Sequence, residues 1–326
     1  VSNRLITNSR FTLITSKLPA SDQNIWFERG IIKIENEHYT LNNGTKIPKI
    51  AFGTWLVPNN EAGAQTVTTA LTVGYRHIDT AAVYGNEEAV GQGIRNSKLP
   101  RKDLIITTKL WNADQGYQKT KIAFEKSLER LQLDYIDLYL IHSPADRTPS
   151  EREQDTESWQ AMVDEYPTPD NPVDNWFENV ASSWQAMTEL YHEGKIKALG
   201  VSNFYPAHFE RVFKNVSVQP MVNQIRLNPS QVLPETVKYD ETHQIITEAY
   251  SPFGQGRSFK VPLYQELATK YHKTVSQILL RWSLDHQYLP LPKAGHEAHM
   301  RENLDVFDFD LTPEDISRLD SLNTKK

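Results

Sequence analysis

The feature that most constrains this chain is a series of eight short apolar segments, separated by longer segments whose apolar residues recur with helical spacing. The eight segments are residues 49–55, 75–81, 104–110, 136–142, 196–203, 218–224, 244–250 and 288–293. Strands that alternate regularly with helices are typical of parallel α/β folds, and eight such units are the number that closes a barrel. The sequence therefore predicts the α/β class and, within it, a (β/α)8 TIM barrel.

The segment between the third and fourth apolar runs shows the helical spacing. In residues 120–134, apolar side chains recur at Ile122, Phe124, Leu128 and Leu131, close to the period of an α-helix. A helix with one apolar face fits the outer ring of a barrel, where it packs on the strands. We therefore assign this segment to the outer helical ring.

The chain is predicted to form one domain with two additions. Residues 39–50 carry an Asn43-Gly44 turn between alternating residues, which predicts an N-terminal β-hairpin that closes the bottom of the barrel. Residues 1–38 are interpreted as an extension that we expect to be poorly ordered, and residues 39–326 as a single barrel. A proline-rich, acidic stretch at about 147–178 is predicted to be an insertion above the catalytic face.

Composition narrows the choice of partners. The 326-residue chain carries 41 Asp and Glu against 35 Lys and Arg, contains no cysteine, and has no apolar run near the roughly 18 residues that a membrane span requires. We therefore expect a soluble, cytoplasmic protein with a small-molecule partner and neither a nucleic-acid nor a membrane partner.

The first twenty residues are interpreted separately. They contain Arg4, Arg10 and Lys17 but no acid, a composition that organelle transit peptides share. Organelle targeting is a minor alternative beside an extension foreign to the domain or translated upstream sequence. The first methionine is Met162, so we expect that the natural start is not included.

Four reactive side chains stand at or just beyond the ends of predicted strands: Asp79, Tyr84, Lys109 and His142. Because strand ends converge in a barrel, we expect these side chains to meet. A phenol, whose ordinary pKa is about 10, becomes a usable proton donor near neutral pH only beside a cation that stabilises its phenolate. Lys109 is the candidate cation for Tyr84.

Five sequence blocks, in order, resemble the aldo-keto reductase family from about residue 39 to the C-terminus. They are GYRHIDTAAVYGNE around Asp79 and Tyr84, TTKLWN with Lys109, LIHSP with His142, GVSNF with Ser202 and Asn203, and EAYSPFGQG with Tyr250. The resemblance is to prokaryotic members with a short C-terminal loop, such as diketogluconate and xylose or aldehyde reductases. It implies NAD(P)H-dependent reduction of aldehydes and ketones, sugars among them, to alcohols, and it also implies a monomer or weak dimer.

The resemblance implies a role for each catalytic candidate. Tyr84 donates a proton to the substrate carbonyl oxygen, and Lys109 supplies the neighbouring positive charge. Asp79 holds the lysine, and His142 orients the carbonyl and shares its developing charge.

The resemblance also implies a binding site for the dinucleotide. Ser202, Asn203 and Gln224 are expected on the nicotinamide carboxamide, and Tyr250 is expected to stack on the ring. Further cofactor-binding candidates lie in the segment that follows Tyr250: Ser251, Gly254 and Gly256, which allow close backbone approach to a pyrophosphate, with Arg257 and Ser258 beside them.

The adenosine end departs from the family pattern. Many members have a Lys-Ser pair and an arginine six positions after the lysine, whereas this chain has Lys293, Ala294 and His299. A neutral histidine attracts a phosphate much less than a guanidinium does. We therefore expect NADPH to be favoured only slightly, with NADH also used. Asn303 matches a position near the adenine, as does Glu302.

For the substrate, the resemblance implies a pocket with aromatic walls formed by Trp55 and Trp111, beside His142. Phe204 and the 147–178 stretch are further candidates. The short segment after the last predicted helix suggests an open pocket and broad selectivity for small carbonyl compounds.

Two alternatives concern other classes of protein. A metal site could be sought at His77 and Asp79, or at His296 and His299, but neither pair reaches a three-ligand shell, so no metal is predicted. A barrel that binds a cofactor without turnover, as a regulatory or structural protein, remains the alternative function, because fold alone does not exclude it.

Overall fold

The computed structural model describes residues 37–144 and 175–323. Eight parallel strands form its central sheet, and each pairs with the next along the chain. They are β3 Phe52–Gly53, β4 His77–Asp79, β5 Ile105–Leu110, β6 Ile136–Ile141, β7 Ile196–Ser202, β8 Val222–Arg226, β9 Ile246–Tyr250 and β10 Leu289–Leu291. Seven lie within the apolar runs, and β8 overlaps its run and extends two residues beyond it, to Arg226; the predicted strands are confirmed.

The first and last strands of the sheet meet, so the sheet curls into a barrel. Ala51 N–H donates to the carbonyl of Pro290, and Gly53 N–H donates to the carbonyl of Pro292, each at 3.1 Å. The helices surround the strands, and the predicted (β/α)8 fold is confirmed.

The helices alternate with the strands over the described ranges. They are α1 Glu61–Val73, α2 Glu87–Ser97, α3 Tyr117–Leu131, α4 Trp176–His192, α5 Pro206–Val212, α6 Pro234–Thr242, α7 Pro262–Tyr271, α8 Val275–Asp285, α9 Glu297–Leu304 and α10 Pro313–Asp320. Short 3₁₀ helices at Ala82–Tyr84, Arg101–Asp103, Asn112–Asp114 and Gly254–Lys260 occupy connections.

The strands are buried on both faces, which explains why they read as continuous apolar runs. Every residue of β6 is buried, as expected for a parallel strand covered by helices on one side and by the barrel interior on the other. Leu138 and Leu140 face an interior layer, and Tyr139 and Ile141 belong to the layer beneath the helices.

Helix α3 confirms the predicted outer position with one difference. Phe124, Leu128 and Leu131 are buried against the strands, but Ile122 is 55% exposed. Residues 122 and 124 are separated by about 200° around a helix, so both cannot face the core. Ile122 therefore points to solvent, outside the apolar face of the helix.

The N-terminal hairpin is present and closes the barrel bottom. Strand β1, His38–Thr40, pairs antiparallel with β2, Lys46–Pro48, and Gly44 in the turn has a φ of 85°, which favours glycine. Ile47 packs in one cluster with residues of the barrel interior, including Leu138 and Leu140. The Tyr39 hydroxyl donates to the Tyr288 carbonyl at 3.2 Å.

Two predicted additions fall largely outside the described residues. The extension at residues 1–38 is described only from residue 37, and the insertion at 147–178 only from residue 175. Helix α4 begins at Trp176, so residues 176–178 form its first turn rather than part of the connection.

Candidate active site

A cavity of about 370 Å³ opens at the carboxyl ends of the barrel strands. Its wall includes most of the residues singled out in the sequence: Trp55, Asp79, Tyr84, His142, Ser202, Asn203, Gln224, Tyr250, Ser251, Gly256 and Lys293. These residues come from segments up to 238 positions apart, from 55 to 293. Because all parallel strands point the same way, their ends deliver these side chains to one face.

A buried ion pair forms the floor of the cavity. Lys109 Nζ lies 2.8 Å and 2.7 Å from the two carboxylate oxygens of Asp79, and 2.8 Å from the carbonyl oxygen of Thr80. Lys109 is fully buried, so leaving its charge without an acceptor would be costly. These three contacts use all three N–H groups of the ammonium.

Tyr84 lies above this pair. It ends the 3₁₀ helix that follows β4, and Gly85, with a φ of 64°, terminates that turn. Lys109 Nζ is 5.2 Å from the centre of the Tyr84 ring. The predicted proximity of ammonium and phenol is therefore present as a cation–π contact rather than a hydrogen bond.

The proton affinity of Tyr84 differs from the sequence expectation. Burial raises the pKa of the Tyr84 phenol well above its usual value, and the negative charge of Asp79 raises it further. The ammonium of Lys109 is already bonded to Asp79, and its charge does not outweigh these two effects, so the net shift is opposite to the one the sequence suggested. Tyr84 therefore keeps its proton at neutral pH.

His142 completes the group around Tyr84. It follows β6 directly, and its ring lies edge-on to Tyr84, with 5.8 Å between ring centres. The ring of Trp111 makes a similar contact with His142 at 5.2 Å. Trp111 is buried behind the histidine and does not line the cavity itself.

The opposite side of the cavity carries amide and hydroxyl groups. Asn203 donates through Nδ2 to the His142 carbonyl and to Ser202 Oγ, each at 3.0 Å, and its Oδ1 accepts from the Tyr250 hydroxyl at 3.0 Å. Ser202 Oγ donates to the Gln224 carbonyl at 2.7 Å. These bonds hold the predicted carboxamide-binding residues in one continuous patch.

A further acid, Glu248, lies under this patch and was not predicted. Gln224 Nε2 bridges Asp79 Oδ2 at 2.9 Å and Glu248 Oε2 at 2.8 Å. Burial, together with the charge of Asp79, raises the pKa of Glu248 to about 8. Glu248 precedes Tyr250 by two residues in β9, so strand alternation puts both on the same face, a signal that could have identified it.

The phosphate and adenosine candidates are spread more widely. Gly256 lines the cavity with a φ of 84°, and Gly254, with a φ of 53°, lies in the same 3₁₀ turn without lining it. The side chains of Arg257 and Ser258 lie outside what the structure describes.

At the adenosine end, two predicted residues face different surroundings. His299 is exposed on α9, with its ring 5.9 Å from that of His296. Asn303, also on α9, is buried and faces the phenol of Tyr75. Lys293 lies at the cavity edge, where Nζ is 3.4 Å from the Leu56 carbonyl oxygen.

Other cavity residues escaped the sequence analysis. Arg226, Phe253 and Phe259 line the wall on the Tyr250 side. Arg226 ends β8 two residues after Gln224, so the same alternation rule could have found it. Phe204, by contrast, was expected in the substrate pocket but is fully buried among Phe209 and its neighbours, so that expectation is wrong.

The described residues form neither a metal centre nor a membrane span. In residues 37–144 and 175–323, no group of three or more His, Cys, Asp or Glu side chains is arranged to hold a metal ion. His77 is buried, and burial together with the Lys109 charge lowers its pKa to about 3, so its ring is neutral. No helix over the same ranges is long and apolar enough to cross a membrane.

Comparison with known proteins gives one consistent match. The model of the aldo/keto reductase family matches residues 49–324. The chain is 41% identical to the glyoxal reductase of Bacillus subtilis over 283 residues, which is 87% of this chain and 91% of that protein. It is 37% identical to the methylglyoxal reductase DkgA of Escherichia coli over 288 residues, 88% and 93% of the two chains.

A solved structure agrees with these relatives. The aldo-keto reductase of Bombyx mori, crystallised in complex with NADP, superposes with a TM-score of 0.75 at 35% identity. The superposition covers 88% of this chain and 92% of the silkworm protein.

Proposed function

Because the chain belongs to the aldo/keto reductase family, we propose that it reduces small aldehydes and ketones to alcohols with a reduced nicotinamide dinucleotide. The observation that carries this proposal is the grouping of Tyr84, Lys109 and His142. The ammonium lies 5.2 Å from the phenol ring, and the imidazole lies 5.8 Å from the same ring. Tyr84 and His142 both line the cavity.

In the proposed mechanism, the hydroxyl of Tyr84 holds the proton that completes the alcohol. Burial raises the pKa of this phenol, so the acid is loaded before substrate binds. His142 orients the carbonyl oxygen toward the phenol. A bound reduced dinucleotide supplies the hydride for the carbonyl carbon. As negative charge grows on the oxygen, it becomes basic enough to take the Tyr84 proton.

The ammonium of the buried pair then offsets part of the cost of forming the Tyr84 phenolate. Lys109 Nζ lies 5.2 Å from the centre of the Tyr84 ring, and attraction between opposite charges in a water-poor site is much stronger than in bulk water. Asp79 fixes the ammonium in place through two short hydrogen bonds. Its position before reaction means that little reorganisation is needed during it.

The Tyr250 side of the cavity fits a dinucleotide. The ring of Tyr250 provides a flat apolar surface, and the hydroxyl and amides of Ser202, Asn203 and Gln224 surround it. Gln224 Nε2 is shared between Asp79 and Glu248. We therefore infer that its Oε1 accepts from the carboxamide N–H of a bound nicotinamide.

Cofactor choice is proposed to be relaxed. Lys293 is the positive side chain available at the adenosine end, and exposed His299 stands where a guanidinium would grip a 2′-phosphate. We expect NADPH to bind more tightly than NADH by less than about tenfold, which corresponds to about 1.4 kcal/mol. Dissociation constants measured in parallel would test this, and a preference of a hundredfold would contradict it.

The function itself is tested by loss of NADPH absorbance with a panel of aldehydes and ketones. The panel includes glyoxal and methylglyoxal, the two compounds that appear in the names of the Bacillus subtilis and Escherichia coli relatives. Replacing Tyr84 by Phe removes only the hydroxyl, so we expect turnover to fall by about 10²- to 10⁴-fold while NADPH binding persists.

Two outcomes would contradict the proposal in different ways. Unchanged turnover in Tyr84→Phe would exclude the phenol as the acid. Tight dinucleotide binding without turnover of any carbonyl compound would favour the alternative, a regulatory or structural barrel that binds the cofactor.

A further inference from the structure

Arg226 is a positively charged side chain on the cavity wall, and its guanidinium donors have no acceptor among the described residues. It lines the cavity, and its Nε is buried without a hydrogen-bond partner. Over residues 37–144 and 175–323, the guanidinium makes neither a hydrogen bond nor an ion pair. A guanidinium presents five N–H donors and stays charged at all ordinary pH values, so burying it without acceptors is unfavourable.

The cavity offers Arg226 no internal anion to neutralise it. Asp79 is the carboxylate on the described wall, and it is already bonded to Lys109 and to Gln224. Lys293 adds a second positive charge at the edge of the same cavity. The Tyr250 side of the cavity therefore has an excess of positive charge, which favours an anionic ligand.

Strand order shows which part of a ligand Arg226 meets. Arg226 ends β8 and pairs in register with Tyr250 of β9. Tyr84 follows β4, and three strands lie between β4 and β8 in either direction around the barrel. Arg226 therefore stands across the mouth from the proposed acid, on the side of Tyr250 and Lys293.

We propose that Arg226 binds an oxyanion in this cavity, namely the pyrophosphate of the dinucleotide, through charge-assisted hydrogen bonds. The planar guanidinium matches two phosphate oxygens at once. Arg226 lies one alternation further along β8 than Gln224, the residue proposed to bind the nicotinamide carboxamide, so it is placed to meet the group that follows the nicotinamide. The inference rests on the proposed function, because it assumes that a dinucleotide occupies this side.

The test compares equilibrium binding of NADPH and of ADP-ribose to wild type, Arg226→Met and Arg226→Lys. ADP-ribose keeps the pyrophosphate but lacks the nicotinamide. We expect Arg226→Met to weaken both ligands by about 10- to 100-fold and to reduce the salt dependence of binding. Arg226→Lys should fall between, because it keeps the charge but loses the paired donors.

A matched control separates this contact from a general loss of charge. Arg211 is exposed on α5, where its guanidinium lies 4.1 Å from the centre of the Phe177 ring, and it does not line the cavity. Arg211→Met should leave both affinities unchanged. Thermal unfolding checks folding: Arg226→Met should be at least as stable as wild type, because the substitution removes the buried Nε donor, which has no acceptor.

The possible results are distinguishable. Equal affinity of wild type and Arg226→Met for NADPH and ADP-ribose would overturn the assignment while leaving the reductase proposal intact. An unchanged affinity with a raised KM only for an aldehyde that carries a carboxylate, compared with a neutral aldehyde, would move the oxyanion to the substrate and also overturn it. Failure of wild type to bind any dinucleotide would overturn both proposals.

Discussion

The two ends of the barrel are built on opposite principles. At the bottom, the hairpin places Ile47 and Leu41 against the aliphatic side chains of Leu138 and Leu140. At the top, the same barrel interior holds a fully buried ammonium and several carboxyl and amide groups around an open cavity. One end is filled with apolar atoms, and the other is filled with polar groups that bond to one another.

This difference indicates that the bottom of the barrel contributes mainly to stability and the top mainly to chemistry. Burying apolar side chains contributes directly to folding, at roughly 25 cal/mol per Å². A buried ion pair contributes little net stability, because loss of hydration offsets the attraction between its members. The Lys109 and Asp79 pair therefore needs another explanation than stability, and the phenol beside it gives one.

The largest expected effect comes from breaking the buried pair. Lys109→Met leaves Asp79 charged and without its cation, so we expect about 3–5 kcal/mol less stability in urea unfolding and loss of turnover. Asp79→Asn combined with Lys109→Met should recover much of the stability without recovering turnover. If Lys109→Met alone were as stable as wild type, the proposed difference between the two ends of the barrel would be wrong.

A smaller effect is expected from the bottom of the barrel. Ile47→Ala removes a buried aliphatic group from the hairpin plug, so we expect about 2–4 kcal/mol less stability. The kcat of the folded fraction should stay within twofold of wild type, because no cavity residue is touched. A large fall in kcat without a matching loss of stability would show that the two ends are coupled.

At the top of the barrel, the stability of the folded protein is expected to depend on pH through Glu248. Glu248, which faces Gln224, Asp79 and Lys109, has a pKa raised from 4.5 to about 8 by burial and by the charge of Asp79. The folded state therefore holds this proton where the unfolded chain has lost it. The stability that this proton contributes is present below the unfolded pKa and is lost as pH rises from about 4.5 to 8.

Glu248→Gln should flatten that part of the pH dependence. We expect the variant and wild type to differ little near pH 5 and the variant to be the more stable of the two near pH 9, because its neutral amide has no proton to lose. Urea unfolding across this range measures the difference. Parallel stability curves for the two proteins would mean that Glu248 does not titrate as described.

The sequence predicted the parts of this molecule that depend on periodicity. Eight apolar runs became eight strands, and the Asn43-Gly44 turn became the hairpin, because strand and turn patterns are local. The convergence of Tyr84 and Lys109 followed from their positions at strand ends.

The errors concern what each side chain bonds to. The family resemblance implied that Asp79 holds Lys109, but it did not show that the pairing and burial together would raise the Tyr84 pKa rather than lower it. Arg226 and Glu248 stand on the inner face by simple alternation, yet the sequence does not reveal that one lacks acceptors and the other carries a proton. Phe204 was misplaced because an aromatic residue after a strand suits either a pocket or a core.

The junction between β3 and β10 bears on local opening of the barrel. Pro290 and Pro292 have no N–H, so they join this junction only as acceptors from Ala51 and Gly53. We expect the ring to part first along this line, with Ala51 and Gly53 the fastest-exchanging amides of the barrel wall. Such opening would loosen the cavity edge at Lys293, which follows Pro292 directly.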